Sequence, residues 1–352
     1  MSVRDLDLGG AVVGTGRPCF VIAEAGVNHN GRKELALALV EAAHKADADA
    51  IKFQTFSADR VAIRAAERAP YQKTSTGSGE SQIEMLRALE LPRDAYMEIV
   101  AACRDLGLVF LSSPAGPDDV DFLEGLGVAA HKIPSCYIVE LDLLSYVART
   151  RKPILVSTGM ATLAEVDQAV RTIRQGGNEQ LVLLQCTTNY PSRVEDANLR
   201  VLPVLRDTFD VHVGYSDHTE TPACCVAAVA LGAVVIEKHL TLDKALPGPD
   251  HQASADPDEF RHLVDLIRQA EVALGTGRKE PSPAEVTNRS YMRRSIVSRA
   301  PITAGAVLTS DVLTFKRPGT GISPARLDEV IGARAKVAMD SDHIIQWRDI
   351  ER

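Results

Sequence analysis

Two short stretches hold the residue types best able to do chemistry. Val213-Gly214-Tyr215-Ser216-Asp217-His218-Thr219 and Val234-Val235-Ile236-Glu237-Lys238-His239 each end an apolar run in charged and polar residues, with a histidine at or just past the end. A parallel strand buried on both faces reads as a continuous apolar run. The loop that follows such a strand faces a crevice at its carboxyl end. One histidine there is ordinarily a core or loop residue; two at consecutive strand ends suit a divalent metal with open positions for substrate. Lys52 and Lys132 stand inside strand-like runs, Ala50-Ile51-Lys52-Phe53 and His131-Lys132-Ile133. An inward lysine needs an anionic partner. Two such lysines among hydroxyls and few aromatics suit a phosphate together with a carboxylate.

The other strand ends repeat the pattern. Glu24, Lys52 with Gln54, Ser112-Ser113, Lys132 with Ser135, Ser157-Thr158, Thr187 to Tyr190, Ser216-Asp217-His218 and Glu237-Lys238-His239 are expected to converge on one face. Polar residues at the carboxyl ends of barrel strands read as catalytic. For any single Ser or Thr the competing reading is a helix cap or a solvated loop start.

The elements that must position these residues alternate strictly. Strand patterns at Phe20 to Ala23, Ala50 to Thr55, Leu108 to Ser113, Ala129 to Ser135, Pro153 to Ser157, Leu181 to Cys186, Val211 to Tyr215 and Ala233 to Glu237 are each followed by a helical pattern. Strict alternation implies a parallel sheet, and eight units match a (β/α)8 TIM barrel. A doubly wound sheet is the competing arrangement, and no Gly-x-Gly-x-x-Gly turn supports it. The polar, glycine-bearing stretch Ser57 to Ser81 has the length of a lid. After residue 276 the grammar changes: residues 277–293, with Pro281 and Pro283, read as a linker, and residues 294–352 as a small β-rich domain.

With 352 residues, 45% hydrophobic and 24% charged, the chain has an ordinary globular composition. Its net charge of −8 argues against a nucleic-acid surface. No signal peptide or membrane-spanning stretch is legible, and six cysteines without metal-ligand spacing read as reduced thiols. A cytoplasmic protein, with no membrane or nucleic-acid partner, is expected.

Several motifs carry a resemblance. Glu24-Ala25-Gly26-Val27-Asn28-His29-Asn30-Gly31, Ile51-Lys52-Phe53-Gln54-Thr55-Phe56, Lys132-Ile133-Pro134-Ser135, Ser157-Thr158-Gly159-Met160, Gly214 to Thr219, Ile236 to His239 and Pro247-Gly248-Pro249-Asp250-His251 resemble the N-acetylneuraminate (sialic acid) synthase family. That family includes legionaminic and pseudaminic acid synthases. Phe315 to Pro324 resembles its C-terminal antifreeze-like SAF domain. The resemblance implies condensation of phosphoenolpyruvate with the aldehyde of an open-chain N-acylated hexosamine, N-acetylmannosamine-like, to give a nonulosonic 2-keto acid and phosphate. It also implies roles. His218 and His239 would bind Mn²⁺ or Mg²⁺. Lys52, Lys132, Ser113, Ser135, Ser157 and Ser216 would hold phosphoenolpyruvate, with Gln54 nearby. Glu24 would act at a water or proton-transfer step or bind sugar hydroxyls, and Tyr190 and Asp250 would line the sugar site. Arg317 would reach the partner's active site in a homodimer with swapped SAF domains.

One position departs from the family pattern. The family reads Lys-x-x-Ser-Gly-Glu, whereas Tyr137 stands here where the acid is expected. A neutral phenol does not replace a carboxylate as base or ligand. The expectation is a tighter, less anionic sugar pocket beside Ser135. Two other functions stay open at this point: the same phosphoenolpyruvate chemistry on another sugar-like acceptor of a secondary-metabolite pathway, and a catalytically silent sugar-binding or scaffold barrel.

Overall fold

The computed structural model describes residues 3–69 and 81–352. The chain forms two compact units, Met1–Gly275 and Thr276–Arg352. In the first, eight parallel strands build a nearly closed barrel: β1 Phe20–Gly26, β2 Ala50–Thr55, β3 Val109–Pro114, β4 His131–Ile133, β5 Ile154–Ser157, β6 Leu181–Cys186, β7 His212–Asp217 and β8 Val235–His239. Their order is β3-β2-β1-β8-β7-β6-β5-β4.

Alternation along each strand divides the core in two. Outward residues such as Val21, Ile51, Ile133, Val156, Leu183, Val213 and Ile236 pack in the cluster that includes the apolar faces of the surrounding helices. Inward residues Phe20, Ile22, Ala50, Leu111, Ala130, Leu155, Val182, Leu184 and Val235 fill the barrel together with Leu6, Leu8 and Val13 of an N-terminal hairpin, Leu6–Leu8 and Ala11–Val13. Gly214 belongs to this inner layer because a Cβ there would lie 2.3 Å from the Leu184 side chain and 2.5 Å from the Val235 carbonyl. Further along the same inward stripe, toward the carboxyl ends, the apolar residues give way to polar ones.

Two strands run past their expected ends, through Asp217 and His239, because the neighbouring ladders continue: Lys238 pairs with Asp217 and His239 with Glu24. Conversely β4 stops at Ile133, and Ser135–Tyr137 forms a 3₁₀ turn. Of the expected lid, residues 70–80 lie outside the described residues; its flanks carry the short helix Ala58–Val61 and the helix Gln82–Leu89, which is capped by Ser81.

In the second unit the stretch read as a linker holds the helix Pro283–Met292, started by a Ser282–Glu285 capping box with proline in the first turn. Strand pairs Ser295–Ser298 with Leu313–Lys316, and Arg334–Ala335 with Ile350–Glu351, enclose a small core of Ile296, Leu308, Ile322, Val330 and Ile345.

Candidate active site

The polar end of the inward stripe lines a cavity of about 110 Å³. Glu24, Lys52, Gln54, Ser113, Lys132, Ser135, Ser157, Tyr190, Ser216, His218 and His239 all face it. Two expected site residues do not line it. Asp250 lies buried in the loop after β8, where burial pushes its carboxyl up to about 6 against the opposing charge of His218. Arg317 belongs to the second unit. Six further residues expected to converge here do not line it: Thr158, Thr187 and Asn189 donate to the Leu184, Asp196 and Pro191 carbonyls, and Ser112, Asp217 and Lys238 point outward. Ser112 meets Thr55, and Asp217 and Lys238 meet each other behind the strands. The period of two sends each to the helix side of its strand.

An ionic array forms the floor. Lys52 Nζ lies 2.7 Å from Glu24 and 3.7 Å from Glu237, and donates to Ser113 Oγ at 3.2 Å. Lys132 Nζ lies 3.4 Å from Glu237 and donates to Ser157 Oγ at 2.8 Å. Ser216 donates to Glu237 at 2.9 Å, and Gln54 donates to Glu24 at 3.2 Å. Gly26, with φ +52°, sits where a Cβ would come within 3.3–3.4 Å of Glu24, Gln54 and His239. A glycine therefore lets those three side chains meet.

Glu237 is the hub that sequence reading left without a role. Its signal was the phase of β8: Val235 inward puts Glu237 and His239 inward as well. The two carboxylates titrate apart. Burial raises Glu24 to about 7 despite Lys52. For Glu237 burial also opposes ionisation, but Lys132 and Lys52 outweigh it and hold the carboxyl near 2. Environments that split a carboxylate pair mark acid and base assignments. Burial pulls Lys132 below its ordinary value despite Glu237, whereas two acidic neighbours outweigh burial and raise Lys52. Lys132 is the less compensated ammonium.

The imidazoles of His218 and His239 stand 5.4 Å apart between centroids, with the Tyr190 ring 4.0 Å from that of His218 at a tilt of 40°. His218 Nδ1 lies 2.7 Å from the Thr187 carbonyl. That contact requires the proton on Nδ1 and leaves the lone pair on Nε2, the usual arrangement for a metal-ligating histidine. Among the described residues His239 Nδ1 is buried without a hydrogen-bond partner. Among the described residues no third His, Cys, Asp or Glu joins them to make a three-ligand metal group. The pair fits a metal whose remaining positions are taken by water or substrate oxygens.

Beside the lysines the wall is formed by Pro134, Cys136, Met160, Cys186 and Thr188. Tyr137 is not part of it: its ring packs on the main hydrophobic core, and Cys136 faces the cavity instead. The expected narrowing by Tyr137 is therefore absent. The 3₁₀ turn rotates position 137 away from Ser135. Tyr137→Glu should then act on stability, costing about 2–4 kcal/mol by losing ring packing and half-burying a carboxylate. Urea unfolding measures that cost, and Cys136→Glu is the variant expected to bring an acid to the cavity wall at little cost.

The rim after β1 is tied to the loop after β8. Asn28 donates to the Leu240 carbonyl and to Ser254 Oγ, and His251 bridges Thr241 and Asn30. Burial lowers both His29 and His251 from 6.5 to about 4. The unfolded chain therefore binds protons that the folded chain refuses. Stability is fully present above about pH 6.5 and falls as pH drops toward 4, by about 2 kcal/mol per ring at about pH 5. Urea titrations at about pH 7.5 and about pH 5 should show the loss, and His29→Gln should remove part of it.

Comparison with known proteins gives consistent matches. The NeuB family profile matches residues 39–279 and the SAF domain profile residues 293–351. The N,N'-diacetyllegionaminic acid synthase of Legionella pneumophila is 44% identical over 342 residues, covering 96% of each chain. The pseudaminic acid synthase of Campylobacter jejuni is 35% identical, covering 91% of this chain and 93% of its own. The crystal structure of an N-acetylneuraminic acid (sialic acid) synthetase from Leptospira borgpetersenii, in complex with citrate, superposes with a TM-score of 0.71 at 30% identity, covering 81% of this chain and 95% of that one.

Proposed function

The chain belongs to the NeuB family and is a synthase of the sialic-acid type with a C-terminal SAF domain, and on that premise we propose that it condenses phosphoenolpyruvate with an open-chain N-acylated amino-sugar aldehyde. C3 of phosphoenolpyruvate bonds to the aldehyde carbon, water adds at C2, and phosphate leaves to give a nonulosonic 2-keto acid. The observation that carries this reading is the Lys52–Glu237–Lys132 array ringed by Ser113, Ser157 and Ser216. Its ammonium and hydroxyl donors suit the phosphate and carboxylate of one anion.

In this reading Lys52 and Lys132 bind and orient phosphoenolpyruvate, while Glu237 fixes both ammonium groups and stays ionised. Glu24, whose carboxyl is raised to about 7, can accept a proton from the water that adds at C2 and pass it to the departing phosphate. His218 and His239 would hold a divalent metal, Mn²⁺ or Mg²⁺, which when bound polarises the acceptor aldehyde. Tyr190 and the wall at Ser135, Cys136 and Thr188 face the acceptor; Asp250, buried outside the cavity, is given no contact with it. The acceptor would be the amino sugar whose condensation gives a product of the kind named by the legionaminic and pseudaminic acid synthase relatives. In this reading Arg317 reaches it from the SAF domain of a second copy in a cytoplasmic homodimer. The test is phosphate release from phosphoenolpyruvate across a panel of N-acylated hexosamines, with and without Mn²⁺. Release is expected only when acceptor and metal are both present. Release from no member of the panel would favour the silent-barrel reading.

A further inference from the structure

Behind the two histidines lies a charge pair that the reaction does not use. Asp217 and Lys238 are ladder partners on β7 and β8, each one residue before a histidine. Both are buried, at 1% and 5% exposure, and Lys238 Nζ lies 2.6 Å from Asp217 Oδ2. Asp217 Oδ1 accepts from the Tyr215 hydroxyl and the Thr219 backbone N–H, each at 3.0 Å. Its Oδ2 also accepts from Thr219 Oγ1 and from the Cys225 thiol, both at 3.2 Å. Lys238 completes the cluster by donating to the Thr219 carbonyl at 2.6 Å. His218 is thereby held on both sides along the chain, and its own carbonyl accepts from the Ser192 backbone N–H at 2.8 Å.

Stability does not explain this cluster. Desolvating an ion pair costs about as much as its attraction returns, and apolar replacements of similar volume are often neutral or better. The neighbouring outward positions Tyr215 and Ile236 already supply apolar packing. What a buried, hydrogen-bonded pair can supply instead is a fixed register. Here the register joins the two strand ends that carry the imidazoles. We propose that Asp217 and Lys238 are positioning residues that set the separation of His218 and His239, and through it the affinity for a divalent metal, without touching metal or substrate. The affinity part rests on the reading that the two histidines hold the metal.

The test compares the wild-type chain, the Asp217→Asn/Lys238→Met double variant and Tyr215→Phe, with Mn²⁺ titrated calorimetrically. The double variant should bind Mn²⁺ about 10- to 100-fold more weakly, the range for loss of the groups that orient metal ligands. Its phosphoenolpyruvate affinity should be unchanged. Tyr215→Phe keeps the pair and removes one donor, and should cost about three- to tenfold. A folded double variant binding Mn²⁺ within about twofold of wild type would overturn the proposal. If the double variant does not fold, Tyr215→Phe decides by the same criterion. A metal-free crystal structure of either variant supplies an independent readout. The imidazole separation should depart from 5.4 Å, and an unchanged separation would overturn the positioning role. Wild-type protein that binds no Mn²⁺ would bring down the metal assignment instead, and the imidazole separation alone would then decide for or against positioning.

Discussion

Lys132→Ala is expected to raise the phosphoenolpyruvate concentration for half-saturation by about a hundredfold or more and to leave acceptor saturation within about twofold. Lys132 is fully enclosed, with Glu237 and Ser157 as its partners. Removing it takes a charge from the anion site and leaves Glu237 dependent on Lys52, at 3.7 Å. Breaking a buried pair on one side costs about 3–5 kcal/mol. Part of that cost falls on the free protein, so unfolding of the variant should be measured beside its kinetics. The reverse split, with acceptor binding lost and phosphoenolpyruvate binding kept, would mean that the two half-sites are assigned the wrong way round.

His218→Ala and His239→Ala should each lower metal-dependent turnover by about a thousandfold or more, the scale of several kcal/mol of charge stabilisation at the reacting carbonyl. Both side chains face the cavity rather than the hydrophobic core, so thermal unfolding should change little. Steady-state rates with chelator and with added Mn²⁺ distinguish the effect from a folding defect. Turnover by either variant within about tenfold of wild type would remove that histidine from the metal site.

Strand identity was legible because buried parallel strands leave unbroken apolar runs, and the barrel followed from strict alternation. Which way each polar residue points was less legible at the strand ends. Ser216-Asp217-His218 and Glu237-Lys238-His239 look like uniform polar blocks, yet only the residues in phase with Gly214 and Val235 enter the barrel along the strands. Counting back to those apolar positions would have turned Asp217 and Lys238 outward and given Glu237 its central place. Tyr137 escaped the same logic because β4 ends at Ile133 and the 3₁₀ turn that follows has no two-residue period. The helix Pro283–Met292 was hidden by Pro281 and Pro283, although Pro281 precedes the helix and Pro283 occupies its first turn, where proline is tolerated. Asp250 and Arg317 entered through family resemblance alone. Neither stands at the end of a barrel strand, and local pattern has no hold on residues brought in by a long loop or a separate unit.

The most direct test of the proposed reaction follows a labelled carbon. Phosphoenolpyruvate carrying ¹³C at C3 should be incubated with the protein, Mn²⁺ and the best N-acylated hexosamine of the panel. A new methylene signal coupled to the proton of the former aldehyde carbon is expected, formed in step with phosphate, together with a product mass equal to both substrates plus water minus phosphate. Phosphate released while the label ends in pyruvate, with no bond to the sugar, would contradict it.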